Sequence, residues 1–441
     1  MSEWNNNKLS YLVDIRVSNV DKKIYSNKKK VKLCNYMDAY SNDYITSNIR
    51  YSEGSADLNE LNRFRLILND VIITKDSETP EDIAVSSVVA EEIENLICGY
   101  HLAILRPREN RIHGPFLMHK LKLPQVQKYF FRMASGSTRY GLTIGGIENT
   151  SLSHPPLPHQ RKIARILTTV DNIIEKTEST LKKYKAMKQG MMHDLFTRGV
   201  DVKTGKLRPS YEDAPELYRE TELGMIPKEW KLDKLENITY YVDYRGKTPP
   251  KSETGIFLIT AKNIKDGFID YEISKEYIPV YAFESTMSRG KANIGDVLIT
   301  TEAPLGNVAQ IDFEGMALAQ RVIKYRGKEN ILTNDFLKQS LMSDYFQKLM
   351  HSESTGSTVK GIKGSRLHKQ PLLIPEIGEQ EAISITTLQQ EAIISSEQQY
   401  LNKQKEIKQA LMQDLLTGKK EVTPDPEDLE ILLTGEVRVK L

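Results

Sequence analysis

The feature that most constrains the fold of this chain is an internal repeat that covers most of its 441 residues. Gly136-Ser137-Thr138 recurs as Gly356-Ser357-Thr358, and the same offset of 220 continues without a gap, with 19 identities in the 64 positions from 136 to 199. Upstream the offset is 226, and it places the two tryptophans, Trp4 and Trp230, at equivalent positions. A repeat of this length predicts two copies of one structural unit.

Each copy begins with β-rich runs separated by turn signals, a pattern typical of a compact α+β domain. A proline-marked boundary follows, at Pro155-Pro156-Leu157-Pro158 in the first copy and at Pro371 to Pro375 in the second. After each boundary, about 40 residues contain no proline and no strand signal. Each copy is therefore predicted to end in a long helix.

The first predicted helix repeats its seam positions every 3.5 residues, the period of a coiled coil. These positions are Ile163, Leu167, Val170, Ile174, Thr177, Leu181, Tyr184, Lys188, Met191 and Leu195. The second helix is polar in the middle, so either its register shifts there or these side chains meet polar partners. Its matching positions are Ile383, Thr387, Gln390, Ile394, Glu397, Leu401, Gln404, Lys408, Leu411 and Leu415. We expect the two helices to pack together about a pseudo-twofold axis; alternatively, each helix packs on its own domain.

Composition constrains the function only weakly, because 61 basic and 59 acidic residues give a net charge of +2. Two basic clusters, at 355–370 and 22–32, indicate either phosphate-binding surfaces or solvated faces. Cys34 and Cys98 are far apart and lack metal-ligand spacing, and no apolar segment approaches the roughly 20 residues of a membrane span. We therefore expect a soluble cytoplasmic protein with no disulfide, metal site or membrane contact.

Three motifs are similar to catalytic sites, and each lacks residues that the chemistry needs. Arg245-Gly246-Lys247-Thr248 contains the Gly-Lys-Thr of a phosphate loop, but Tyr241 stands where that loop needs a glycine. His154-Pro155-Pro156 lacks the Asn or Asp with which amino-methyltransferases hold the target amine. Pro424-Asp425 with Glu436-Val437-Arg438 is faintly similar to a nuclease motif, but we expect a solvated acidic tail. The sequence therefore predicts no catalytic residue; the alternatives are a fused methyltransferase-nuclease and a coiled-coil scaffold that does not touch nucleic acid.

The ends of the predicted helices carry the most specific motifs. The first helix begins with Pro158-His159-Gln160-Arg161-Lys162-Ile163-Ala164 and closes with Met192-His193-Asp194-Leu195-Phe196-Thr197-Arg198-Gly199. The second begins with Gly378-Glu379-Gln380-Glu381-Ala382-Ile383 and closes with Leu411-Met412-Gln413-Asp414-Leu415-Leu416-Thr417-Gly418. The second copy itself opens with Leu223-Gly224-Met225-Ile226-Pro227-Lys228-Glu229-Trp230. In these motifs the chain resembles the DNA specificity subunits of Type I restriction-modification systems.

The resemblance implies an α+β protein in which two pseudo-twofold-related target recognition domains are separated by two long antiparallel coiled-coil helices. Each domain would read one half of a bipartite site in double-stranded DNA, and the helices would act as ruler and dock. Two methyltransferase subunits carrying S-adenosylmethionine and two restriction subunits using ATP and Mg would bind this chain, which holds no cofactor itself. The tail after Gly418 departs from the family pattern, because Leu432-Leu433-Thr434-Gly435 echoes Leu415-Leu416-Thr417-Gly418.

These observations divide the chain into six predicted segments. They are an N-terminal target recognition domain at 1–154, a first conserved helix at 155–199, a linker at 200–222, a C-terminal target recognition domain at 223–374, a second conserved helix at 375–418 and a tail at 419–441.

The candidate DNA-binding residues begin with the two Gly-Ser-Thr loops, whose small residues let backbone amides and hydroxyls approach phosphate beside a cation. An ordinary turn is the alternative. The loop candidates are Gly136, Ser137, Thr138, Arg139 and Tyr140 in the first copy, and Gly356, Ser357, Thr358, Lys360 and Lys363 in the second. The other candidates are Arg245, Lys247, Lys262, Asn263, Arg289 and Arg321 in the second copy, with Asn35 and Lys75 in the first.

Overall fold

The structure is a computed structural model that describes residues 4–246, 248–356 and 360–429. The described residues fall into two compact units. Unit 1 comprises those up to Glu178 and those from Gln399 onward, and unit 2 comprises those from Ser179 to Gln398. Each unit therefore contains one α+β region together with part of each long helix.

Unit 1 is built around a central sheet with a hydrophobic core on each face. Its strands are β1 (Asn5–Lys8), β2 (Val13–Val17), β3 (Lys29–Cys34), β4 (Tyr44–Ile45), β5 (Ser52–Ala56), β6 (Val71–Thr74), β7 (Asp76–Ser77), β8 (Ser86–Val89), β9 (Leu96–Cys98), β10 (Leu102–Pro107), β11 (Tyr140–Gly141) and β12 (Ser151–His154). Its short helices are α1 (Leu9–Leu12), α2 (Tyr36–Ser41), α3 (Leu58–Phe64), α4 (Gly114–Leu121), α5 (Pro124–Met133) and α6 (Ile144–Glu148).

The central sheet of unit 1 has the strand order β2-β10-β6-β8-β4, and a second sheet has the order β5-β3-β9. Successive side chains of a strand point to opposite faces. Val71 and Ile73 of β6 therefore join the core that receives the long helices, while Ile72 joins the core shared with the second sheet. Because β6 is buried on both faces, its sequence Val-Ile-Ile-Thr is almost continuously apolar.

Unit 2 repeats this plan. Its strands are β13 (Val200–Asp201), β14 (Lys206–Leu207), β15 (Tyr218–Thr221), β16 (Gly224–Pro227), β17 (Lys231–Lys234), β18 (Thr239–Asp243), β19 (Ile256–Ile259), β20 (Tyr277–Ile278), β21 (Val297–Thr301), β22 (Leu305–Gln310), β23 (Ala317–Leu318), β24 (Val322–Gly327) and β25 (Pro371–Ile374). Its short helices are α8 (Leu235–Ile238), α9 (Phe283–Thr286), α10 (Asn334–Met342), α11 (Asp344–Ser352) and α12 (Gly364–Leu367). The central sheet has the order β18-β24-β21-β22, and a second sheet has the order β20-β19-β23.

The two long helices are α7 (Leu157–Thr197) and α13 (Ile377–Leu416). The start of α7 packs into the core of unit 1 and its end into the core of unit 2, while α13 does the reverse. Every predicted seam position in both helices is buried or half-buried. The α+β class, the long helices and their seam are therefore confirmed.

Within each unit the helix segments run antiparallel and are joined by ion pairs. In unit 1, Asp171 and Glu178 of α7 pair with Lys408 and Lys405 of α13, each at 2.6 Å. The polar middle of the second helix is explained by such partners, since Gln390 also donates to the carbonyl of Tyr184 within unit 2 at 3.4 Å. The polar-partner interpretation therefore holds for Gln390 and Lys408.

Each long helix ends at a glycine that a tryptophan covers. Gly199 and Gly418 have φ angles of +68° and +77°, the left-handed conformation that commonly terminates a helix. A Cβ at Gly199 would lie 2.5 Å from the ring of Trp230, and one at Gly418 would lie 2.9 Å from the ring of Trp4. The predicted equivalence of the two tryptophans is confirmed by this shared role.

The segment after Gly418 folds back onto α7, so the expectation of a solvated tail is wrong for its described part. Asp425 accepts a hydrogen bond from Lys162 at 2.7 Å, and the buried Asp428 pairs with Arg165. The basic first turns of α7 neutralise these carboxylates, which allows one of them to be buried. Glu436-Val437-Arg438 and Leu432-Leu433-Thr434-Gly435 lie outside the described residues.

Candidate nucleic-acid interface

A hairpin loop closes over one end of the central sheet in unit 1. Ser135 and Gly141 exchange backbone hydrogen bonds of 3.1 and 2.9 Å, and the N–H of Leu142 donates to the carbonyl of Lys75 at 2.9 Å. Gly136 has a φ of +140°, and a Cβ there would lie 1.9 Å from the carbonyl oxygen of Arg139. This loop therefore needs a glycine at its first turn.

Unit 2 has the same hydrogen bonds at the ends of the equivalent loop, whose residues 357–359 lie outside the described part of the chain. Thr355 and Gly361 exchange bonds of 2.9 and 3.0 Å, and the N–H of Ile362 donates to the carbonyl of Thr301 at 3.0 Å. Gly356, the equivalent of Gly136, also has a positive φ, of +116°. We call the two loops, 135–141 and 355–361, the glycine loops. The ends of both loops are held by equivalent hydrogen bonds at the same corner of each unit.

The glycine loops present polar and basic groups to solvent. Ser137, Thr138 and Arg139 are exposed, and Tyr140 is half-buried where it pairs with β7. Lys360 is exposed within the second loop, and Lys363 is exposed just after it, as the residue that precedes α12. The candidates Ser357, Thr358 and Lys247 lie outside the described residues. A backbone with free hydroxyls beside cations has the chemistry of a phosphate contact.

Arg245 and Arg289 are held beside the second glycine loop. Arg245 binds Asp243 through Nε at 3.0 Å, and its Nη1 reaches the carbonyl of Ile362 at 3.5 Å. The hydrogen bond to Asp243 raises the pKa of Arg245. Arg289 donates to the carbonyls of Asp243 and Arg245 at 2.8 and 2.7 Å. The structure thus brings both candidate arginines to one corner, where they also order the backbone.

An acid–base pair stands under each glycine loop. In unit 1, Nδ1 of His101 lies 2.9 Å from Oδ2 of Asp76, which Lys75 also binds. In unit 2, Nε of Arg321 lies 2.8 Å from Oε1 of Glu302. Burial would raise the pKa of Asp76, but hydrogen bonds from Lys75 and His101 outweigh it, so this pKa lies below its usual value. The carboxylate is therefore ionised at neutral pH.

Two sequence candidates do not present a reading group. Asn263 is fully buried, and its amide accepts from Thr260 and donates to the carbonyls of Asp270 and Ser274. Because the amide donors and acceptor of Asn263 are bonded inside the fold, none is left for a base, and the expectation that Asn263 contacts DNA is wrong. Asn35 is also buried and precedes α2, where its backbone N–H donates to Asp38. Lys262, by contrast, is exposed shortly after β19.

Asp76, His101 and Glu302 were not among the sequence candidates. The repeat carried part of the signal, because the offset of 226 places Asp76 on Glu302. The match of His101 to Arg321, at an offset of 220, comes from the structure, where their carbonyls accept from the equivalent N–H groups of Lys75 and Thr301. The pairing across β-strands could not be read from these offsets alone. In the described ranges, no cluster of His, Cys, Asp or Glu could hold a metal ion, and no helix is long and apolar enough to cross a membrane.

Comparison with known proteins gives a consistent result. The family model for the Type I restriction modification DNA specificity domain matches residues 1–183 and 227–408. The putative type I restriction enzyme MjaX specificity subunit of Methanocaldococcus jannaschii is 24% identical over 392 residues, which are 86% of this chain and 81% of that protein. The type I restriction enzyme MjaVIII specificity subunit of the same organism is 27% identical over 308 residues, 66% of this chain and 63% of that protein.

A solved structure has a similar fold. The crystal structure of the Type-I restriction-modification system S subunit from M. genitalium superposes with a TM-score of 0.58 at 13% identity. The match covers 96% of this chain and 97% of the other. At this identity the likeness concerns the fold alone.

Proposed function

The chain belongs to the family of Type I restriction-modification DNA specificity proteins, and on this premise we propose that it reads a bipartite double-stranded DNA site for partner enzymes without catalysing a reaction itself. Each unit recognises one half-site, and the long helices set the distance between the half-sites. Two methyltransferase subunits and two restriction subunits dock on the chain. S-adenosylmethionine, ATP and Mg belong to those partners, and their DNA substrate places the protein in the cytoplasm.

The observation that carries this proposal is that both units build the same corner from different exposed side chains. Hydrogen bonds at equivalent positions hold the ends of the two glycine loops, whereas the exposed cations there are Arg139 in unit 1 and, in unit 2, Lys360 with the neighbouring Lys363. A common backbone with different side chains suits two half-sites of different sequence. A scaffold that does not touch nucleic acid has no need for this arrangement.

The proposed contacts follow from charge and exposure. Arg139, Lys360 and Lys363 neutralise phosphates, and the backbone of the glycine loops at Gly136 and Gly356 approaches the DNA closely. Cationic side chains of this kind position a protein on DNA and make its affinity depend on salt. Further proposed contacts come from Ser137, Thr138, Tyr140, Arg245, Lys247, Lys262, Arg289, Arg321, Ser357, Thr358 and Lys75.

The division of labour follows the predicted segments. Residues 1–154 and 223–374 are proposed to be the target recognition domains, and 155–199 and 375–418 the conserved helices. The stretches 200–222 and 419–441 are the linker and the tail.

Two measurements test the proposal together. Mapping methylated adenines genome-wide in strains with and without this chain should reveal a two-part motif that disappears with the chain. The purified chain, incubated with labelled S-adenosylmethionine and DNA, should transfer no methyl group until a methyltransferase subunit is added. Methyl transfer by the uncontaminated chain would make it an enzyme, and a methylome unaffected by its loss would remove its role in DNA recognition.

A further inference from the structure

The two central strands of each unit carry an ion pair at both of their ends. At one end both units pair an arginine with an aspartate: Arg106 binds Asp70 at 2.7 Å in unit 1, and Arg326 binds Asp296 in unit 2, where Lys324 also binds the aspartate at 2.9 Å. Both aspartates are fully buried. In unit 1 this end borders a cavity of about 250 Å³ that the first turns of α7 also line. This end therefore belongs to the common frame of the two units, and we call it the frame end.

At the other end, under the glycine loops, the pairs differ although the backbone does not. The N–H of Lys75 donates to the carbonyl of His101 at 2.8 Å, and the N–H of Thr301 donates to the carbonyl of Arg321 at 3.1 Å. On this shared backbone unit 1 places Asp76 and His101, and unit 2 places Glu302 and Arg321. At this end the two units therefore share a backbone hydrogen bond and differ in the paired side chains that it carries.

The exposure of the carboxylates distinguishes this end from the frame end, where both aspartates are fully buried. Arg321 and Glu302 are 51% and 45% exposed, whereas the aspartate at the frame end of unit 2 is fully buried. His101 and Asp76 remain 19% and 20% exposed. The Arg321–Glu302 pair, with this much exposure, contributes little to folding stability, so stability does not account for it.

A paired acid and base also has the wrong chemistry for a phosphate. A carboxylate beside a phosphate would repel it. The stretch from Lys360 to Arg366, whose charged residues are all basic, already supplies cations nearby. Base edges in the major groove offer both donors and acceptors. A guanidinium binds O6 and N7 of guanine with two hydrogen bonds, and a carboxylate accepts from the amino group of cytosine. Glu302 and Arg321 together therefore match a G·C pair.

Resting on the proposed DNA-reading function, we infer that Glu302 with Arg321, and Asp76 with His101, are the specificity-determining side chains that contact base edges, one pair for each half-site. In free protein each pair orders its own side chains. On DNA, Arg321 donates to a guanine and Glu302 accepts from the cytosine of the same or the adjacent base pair. Asp76 and His101 occupy the equivalent place over the other half-site, with one ring N–H donor instead of a guanidinium fork.

The test uses the whole chain with its methyltransferase partners and compares substitutions at the two ends of the same strands. Arg321→Lys keeps the charge but loses the two-bond geometry, and Arg321→Gln loses both. Each should make one position of one half-site degenerate and lower the preference for the original base roughly tenfold to a hundredfold. His101→Gln should alter the other half-site only. The matched control is Arg326→Lys at the frame end, which should lower the unfolding midpoint and leave the motif unchanged.

The readouts are the methylated motif in cells and selection from random DNA by the purified complex, with thermal unfolding to verify that each variant is folded. A changed base at one position of the expected half-site supports the inference. An unchanged motif, or a uniform loss of affinity for all sequences, overturns it, since the latter identifies a phosphate contact. If a variant does not fold, the milder Arg321→Lys decides. A wild-type complex without a two-part motif would instead overturn the proposed function.

Discussion

Asp171 and Lys408 form an ion pair of 2.6 Å across the helix segments of unit 1, and unit 2 contains the same pair with the helices exchanged. There, Lys188 of α7 binds Glu391 of α13 at 2.9 Å. Both equivalences obey the offset of 220, so the repeat reproduces the cross-helix contact from the opposite side. Burial would lower the pKa of Lys408, but Asp171 and Asp43 outweigh it and raise this pKa. Lys408 is therefore charged, and its ion pair with Asp171 fixes the axial register of the two helix segments.

Replacing Lys408 by methionine should destabilise unit 1 by about 1–3 kcal/mol, because it leaves the buried Asp171 without its cation. The matched control is Lys405→Met on the same helix, whose partner Glu178 is 48% exposed. That change should cost less than about 0.5 kcal/mol. Urea unfolding of the two variants measures the difference. Equal losses would show that the Asp171 pair has no special role.

The buried His119 should make the stability of unit 1 depend on pH. Burial, helped by Lys122 and Lys408, lowers its pKa to about 3, although Asp43 opposes this. The unfolded chain, with a histidine pKa of about 6.5, therefore binds the proton more readily. The stability that depends on neutral His119 should be fully present above about pH 6.5. As the pH drops toward 3, the free energy of unfolding should fall by at most about 1.4 kcal/mol per pH unit.

Substituting His119 by glutamine should make this acid limb shallower and leave the part due to His113, whose pKa burial lowers to about 4. The chain itself carries glutamine at the equivalent position, Gln339. The buried Gln339 donates to Glu391 at 3.2 Å, so the amide fits such a site. Unfolding midpoints between pH 4 and 7 provide the measurement, with the exposed His193→Gln as control. An acid limb as steep in the His119 variant as in the wild type would assign the pH dependence to other groups.

Changing both Lys360 and Lys363 to alanine should weaken binding to every DNA sequence. Loss of two phosphate contacts should lower the slope of log affinity against log salt by about 1 to 2. The control is Lys231→Ala with Lys234→Ala, two exposed lysines of β17 away from the glycine loop. Titrations at several salt concentrations distinguish the variants. If the two double variants have the same slope of log affinity against log salt, the cluster at 355–370 is a solvated face.

Lengthening the long helices should widen the DNA spacer, because a helix rises about 1.5 Å per residue. The cross-helix ion pairs require the insertion in both helices, after Leu181 and after the equivalent Leu401. Four residues add about 6 Å, which corresponds to one or two base pairs at about 3.4 Å each. Seven residues keep the heptad register and should add about three base pairs. Methylome sequencing reports the spacing; an unchanged spacer would mean that the helices do not set it, and altered half-site bases would contradict the separation of reading and spacing.

Much of the fold could be predicted from periodic and repeated features, because these are local properties of the chain. The period of 3.5 residues in both long helices specifies which side chains face a partner helix, and every predicted seam position is buried or half-buried. The repeat of Trp4 as Trp230 indicated a shared role, and both cover a helix end. The polar seam was left open because the sequence does not name the partner of Lys408.

The sequence by itself determined that there are two copies, that each pairs an α+β region with a long helix, and that the copies differ in the side chains they present. Only the tertiary structure decided which of those side chains meet. Asp76 and His101 are 25 residues apart and come together because β6 and β10 pair in a particular register. Asn263 and Asp428 are both buried. Asn263 forms its hydrogen bonds inside the fold, and Asp428 pairs with Arg165 of α7. Hydrogen-bonding and ion-pair partners of this kind depend on contacts between distant segments, and a sequence pattern records only neighbours along the chain.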